Sequence, residues 1–145
     1  MSLQISQLLL DQLRAHGEET YPNECCGIML GKAADDQVEV SALIRAGNTR
    51  TDSLHNRYNI APVELVRAQR EGRSTGQDIV GFYHSHPDHP AQWSQTDFAE
   101  AHWFGCAYVI TATAQGKAEI SNSFLLTGTS EADKKFALQT IEIVH

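Results

Sequence analysis

Residues 81–97, GFYHSHPDHPAQWSQTD, bring three histidines and two aspartates into one short stretch. His84 and His86 stand two apart. On an extended strand such residues leave the same face, so two imidazoles can converge on one cation without strain. A catalytic zinc needs a third protein donor and keeps one position open for water. His89, Asp88 and Asp97 are the candidates for that donor. Asp97 also has a purely local explanation. Ser94 and Asp97 have the spacing of a capping box, with Asp where Glu is usual, and Trp93 and Phe98 have that of a hydrophobic staple. The two readings are compatible, because a capped helix start would hold the Asp97 carboxylate in place.

These side chains need elements to carry them. DIVGFYHSH, 78–86, reads as a strand ending in histidines, and a short loop with Pro87 and Pro90 follows. SQTDFAEAHWFG, 94–105, reads as the next helix. In MSLQISQLLLDQLR, Ile5, Leu8, Leu9 and Leu13 recur at helical spacing, with Gly17 as the stop. ECCGIMLGK predicts a short buried strand with glycines at close contacts. QVEVSALIRAGN is its hairpin partner across an Asp35-Asp36 turn. Pro62 opens a helix with Val63, Val66 and Arg70 along one side and Gly72 near its end. CAYVITATA and KAEISNSFLL are strands joined at Gln115-Gly116, and LQTIEIV alternates like an edge strand. TRTDSLHNRYN, 49–59, carries no period, and a loop of that length points to ligand contact. Helices alternating with strands predict an α/β sandwich around a mixed sheet.

The 145 residues fit one core. A formal net charge of −7 with no Lys/Arg block argues against nucleic acid as a partner. No apolar run reaches transmembrane length, so no membrane partner is expected. The N-terminus lacks the basic start and apolar run of a signal peptide. Three cysteines, Cys25, Cys26 and Cys106, make no disulfide framework and no CxxC pair, which predicts a reducing, cytoplasmic setting.

Two zinc patterns fit the histidine stretch and select different residues. The first, H-x-H-x-D-H, takes His84, His86, Asp88 and His89 and resembles the metallo-β-lactamase family of dinuclear hydrolases. That family needs further ligands downstream, and after His89 only His102 and His145 follow. The second pattern is H-S-H, seven residues, Ser94, two residues and Asp97, with Glu24 far upstream. With E-x-C-G-x-x-x-G at 24–31 and Pro62 opening a helix before the histidine strand, the chain resembles the JAMM (MPN-plus) zinc metallopeptidases of small prokaryotic type. The resemblance covers most of the chain.

That resemblance implies one JAMM/MPN domain over residues 1–145. Its form would be a three-layer α/β sandwich with a mainly antiparallel mixed central sheet, as in cytidine deaminases. It implies one zinc held by His84, His86 and Asp97, with Glu24 as general base and acid and Ser94 as oxyanion donor. Asn48 and Tyr58, which bound the long loop, and Ser85 between the histidines are the expected substrate contacts. The implied reaction cuts an amide bond after the C-terminal Gly-Gly tail of a ubiquitin-like or sulfur-carrier protein. Rival readings are a non-catalytic MPN scaffold, which usually lacks some ligands, and the dinuclear hydrolase above. A zinc nucleoside deaminase would need a P-C-x-x-C pair that is absent. Nothing in the pattern specifies an oligomeric state.

Overall fold

Successive residues of the glycine-flanked strand at 26–34 belong to opposite sides of one sheet. Met29 joins an apolar cluster with Leu10, Leu13, Val80 and Val109, whereas Ile28 and Leu30 join one with Ala68, Phe82, Tyr108 and Leu126. The computed structural model describes residues 1–35, 37–48 and 58–145. Its elements run β1 (Ser2–Ser6), α1 (Gln7–Thr20), β2 (Cys26–Ala34), β3 (Gln37–Ala46), α2 (Pro62–Ser74), β4 (Asp78–Pro87), α3 (Gln95–Ala99), β5 (Ala107–Ala114), β6 (Lys117–Thr127) and β7 (Lys135–Val144).

The strands order as β1-β3-β2-β4-β5-β6-β7 and close into a barrel. The sheet is mixed: β2 is antiparallel to β3 and β4, and β6 to β5 and β7, while β4 is parallel to β5 and β1 to β3 and β7. The expected mixed α/β character is present, with a sheet that closes on itself where the central layer of a three-layer sandwich is expected. The reason lies at the N-terminus. Residues 2–6 form a strand instead of the first turn of a helix, with Leu3 and Ile5 buried by period-two alternation. β1 then bridges β3 and β7, so β7 is not an edge strand.

The helices differ from their sequence reading in three further ways. Gly17 lies inside α1 rather than ending it. A Cβ there would stand 3.0 Å from Thr113 Cγ2 and 3.2 Å from the Ser85 Cβ, so the missing side chain lets α1 approach β4 and β5. Helix α2 begins at Pro62 as expected, but it packs through Ala68 and Gly72. Val63 and Val66, on the side read as apolar, are 60% and 48% exposed. The helix expected over 94–105 spans only Gln95–Ala99. Among the described residues, no helix is long and apolar enough to cross a membrane.

Candidate metal centre

The two histidines take their rigidity from β4, which is paired along both sides. His84 lies opposite Cys26 of β2 and Ile110 of β5, and His86 lies opposite Ala112. Both side chains are buried. Ser85, one residue out of phase, faces the other way. It is fully buried, and its hydroxyl accepts the Cys25 N–H at 2.8 Å. It therefore fastens β2 to β4 from beneath and does not reach the open side of the site.

The chain leaves β4 at Pro87 and returns to the histidines through α3. Ser94 is the N-cap: its Oγ accepts the Asp97 N–H at 3.0 Å, and the Asp97 carboxylate accepts the Ser94 N–H at 2.9 Å. Trp93 packs against Phe98, their ring centroids 5.4 Å apart, which completes the staple. The same Asp97 carboxylate meets both imidazoles, with Oδ1 at 3.2 Å from His84 Nε2 and Oδ2 at 3.0 Å from His86 Nε2. The ligating atoms of the three residues all lie within 4.8 Å of one another.

A hydrogen bond on the far side of one ring argues for a cation here. His86 Nδ1 lies 3.0 Å from the Pro90 carbonyl, which can only accept, so Nδ1 carries the proton. In the neutral ring Nε2 then presents a lone pair. That lone pair faces a carboxylate oxygen and the His84 Nε2 at 3.2 Å. The His86 lone pair and the Asp97 oxygen 3.0 Å from it are both acceptors, and such a contact needs a positive charge between them. Without an ion, a proton would serve. Burial works against that proton, but the Asp97 hydrogen bond and charge outweigh it and raise the His86 pKa. Burial lowers that of His84. Burial also opposes the charge on Asp97, yet the two histidines and the Ser94 N–H hold its carboxyl well below the usual range. Two imidazoles and one carboxylate suit zinc, a borderline-soft ion. The residues present fit such an ion.

Glu24 stands just before β2. The residue is 4% exposed, and its Oε1 has no hydrogen-bond partner among the described residues. Burial pushes its pKa up to about 8, with Asp97 and Glu100 adding to the rise and His86 opposing it. Glu24, His86 and Ser94 together line a cleft of about 400 Å3, with Trp93 and His89. A buried, unpaired carboxyl poised near neutrality, opening on the donor cluster, has the properties of a proton carrier.

The rival ligand set does not assemble. Asp88 accepts from the Tyr21 hydroxyl at 2.5 Å and from the Gln115 N–H at 2.7 Å, which ties the β4 exit to the segment before Glu24 and to the β5–β6 turn. His89 is exposed, and the one candidate metal group among the described residues is His84, His86 and Asp97. Of the long loop, residues 49–57 lie outside the described residues. At its base the Asn48 Oδ1 accepts the Asn59 N–H at 3.0 Å. Tyr58 stacks on His84 with centroids 4.4 Å and planes 24° apart. A second cleft, between Tyr58, Asp97 and Trp103, opens beside that stack. Sequence spacing gave no hint of the Pro90 carbonyl or of the Tyr21–Asp88 tie, because both are contacts across loops.

A family profile described as prokaryotic homologs of the JAB domain matches residues 6–126. The chain is 34% identical over 104 residues to a desampylase of Haloferax volcanii, covering 69% of this chain and 73% of that one. It is 32% identical over 111 residues to a protein of Thermus thermophilus named "Probable TtuB-protein conjugate cleaving protease", covering 77% of this chain and 70% of that one. Among solved structures, a Salinibacter ruber protein is 36% identical with a TM-score of 0.72, covering 99% of this chain and 92% of that one.

Proposed function

We propose, from the premise that this chain belongs to the family of prokaryotic JAB-domain homologues, that it is a metallopeptidase for ubiquitin-like tails. It hydrolyses an amide bond after the C-terminal tail of a ubiquitin-like or sulfur-carrier protein. The convergence of His84, His86 and Asp97, with Glu24 lining the same cleft, carries this reading. The relatives named for desampylation and for cleavage of TtuB conjugates support the substrate class. Residues 1–145 act as a single JAMM unit in this reading.

His84, His86 and Asp97 would hold one zinc. When bound, zinc supplies a Lewis acid that acidifies water and polarises a carbonyl. Glu24 takes the proton of the attacking water and delivers it to the leaving amine. Its burial keeps the carboxyl in the range where it can do both. Ser94 uses its oxygen to accept the Asp97 N–H, which leaves its own O–H free to donate to the developing oxyanion. Tyr58 shields the His84 ring from solvent on one face, and Asn48 closes the loop base beside it, so both border the path of the tail.

The test is turnover of a carrier protein carrying an amino acid or a lysine side chain amide-linked to its terminal glycine. The zinc-loaded protein should release the carrier, and chelation or Glu24→Gln should stop it. Intact conjugate after prolonged incubation with zinc-loaded protein would refute the reading.

A further inference from the structure

We infer that Lys134 is the positioning residue for the carboxylate donor Asp97, an inference that rests on the metal-centre reading above. Lys134 immediately precedes β7, far in sequence from the histidine stretch, and is 8% exposed. Its Nζ donates to the carbonyls of Phe98 at 2.8 Å, Ala101 at 3.1 Å and Ala99 at 3.4 Å. It also pairs with the Glu131 carboxylate at 2.7 Å and lies 4.8 Å from the Phe98 ring centroid.

Burying an ammonium is costly unless its partners are well placed. Here the partners are carbonyls at the C-terminal end of α3. A helix leaves its last carbonyls without partners and carries partial negative charge at that end. Helix α3 has five residues and no fully buried side chain. So short a helix has little stability of its own. It is fastened at both ends: the Ser94–Asp97 capping box fixes its start, and Lys134 fixes its finish. Asp97 lies between these fastenings, so the direction of its carboxylate depends on both.

Lys134 is itself held. The Asp133 carboxylate accepts the N–H groups of Thr129 at 3.0 Å and Ser130 at 2.7 Å, which shapes the turn before it. Glu131 is anchored through its other oxygen to His102 Nδ1 at 2.7 Å. The sheet, through β7, thus sets the position of the one metal donor that does not come from the sheet.

The experiment measures cobalt binding, its visible spectrum and turnover for wild type, Lys134→Met, Lys134→Gln and Lys134→Arg, beside the melting temperature of each metal-free protein. Lys134→Met should weaken cobalt binding about 10- to 100-fold and shift the visible bands. Its kcat should fall more than its KM rises, and Lys134→Arg should recover most of the affinity. Lys134→Gln, which keeps donors, should lie between and decides the matter if the Met variant does not fold. Unchanged affinity and spectrum in a folded Met or Gln variant, with only the melting temperature lowered, would overturn the positioning role. Failure of the wild type to bind cobalt, or binding undiminished in His84→Ala, would overturn the metal-centre reading as well.

Discussion

The proposed metal donors come from two regions built in opposite ways. His84 and His86 stand on a strand paired on both sides and buried in the barrel wall. Asp97 and Ser94 stand on a five-residue helix secured by its own cap, a staple and one lysine. In the first region geometry is a by-product of the core, so anything that moves the rings must disturb β4. In the second, geometry rests on a few identifiable hydrogen bonds. The sheet half should respond to substitution as part of the fold, and the helix half as a local, repairable fixture.

The largest effect that tests this contrast is loss of a ligand. His84→Ala and Asp97→Ala should each weaken metal binding by more than the roughly 100-fold typical of outer partners, and turnover should vanish. His84→Ala should also lower the melting temperature clearly, because it opens a void in the barrel wall. Equal thermal losses in the two variants would erase the distinction.

Glu24→Gln comes next. It should keep the metal and lower kcat by about 10^2- to 10^4-fold. It should also change the pH dependence of folding in the metal-free protein. The Glu24 carboxyl is raised from 4.5 to about 8, so its contribution to stability is complete below pH 4.5 and is lost as pH rises through 8. The variant lacks that loss. Relative to wild type it should gain stability between pH 4.5 and 8, by at most about 5 kcal/mol. Parallel stability profiles would mean that Glu24 is not buried as described.

Ser94 separates fixture from chemistry. Ser94→Ala should cost about 1 kcal/mol of stability through the lost cap and about 10^2-fold in kcat. Ser94→Asn can still cap the helix but lacks the hydroxyl, so it should recover the stability and not the rate. Recovery of the rate would assign Ser94 a structural role only. The smallest effect belongs to the loop base. Asn48→Ala removes the acceptor of the Asn59 N–H, a bond worth about 1 kcal/mol, and should raise KM for a carrier substrate without changing metal affinity. An unchanged KM would remove Asn48 from the substrate path.

The contrast also explains what was legible in the sequence. The strand with His84 and His86 could be read because period-two geometry is local. The capping box was equally legible, since Ser94, Asp97, Trp93 and Phe98 interact within five positions. The barrel closure was not, because Ser2–Ser6 pairs with β7, more than 130 residues away, and Ile5 fits a helical period as well as a strand. The short α3 was over-read because HWFG continues an apolar pattern. In the structure Trp103 instead packs on Phe82, with centroids 5.3 Å apart, in the cluster shared with α2. Ser85 is expected at the substrate, and its hydroxyl is taken up by the Cys25 N–H on the side facing α1, a contact 60 positions away that spacing does not reveal. Lys134 was invisible for the same reason as β1: the carbonyls it holds lie more than 30 positions away.

Three side chains sharing one cation carry the proposed function, and a crystal structure of the zinc-loaded protein with anomalous scattering at the zinc edge tests this most directly. A single anomalous peak bonded to His84 Nε2, His86 Nε2 and an Asp97 carboxylate oxygen is the predicted result. A peak at Asp88 and His89, or two peaks sharing the histidines, would contradict it.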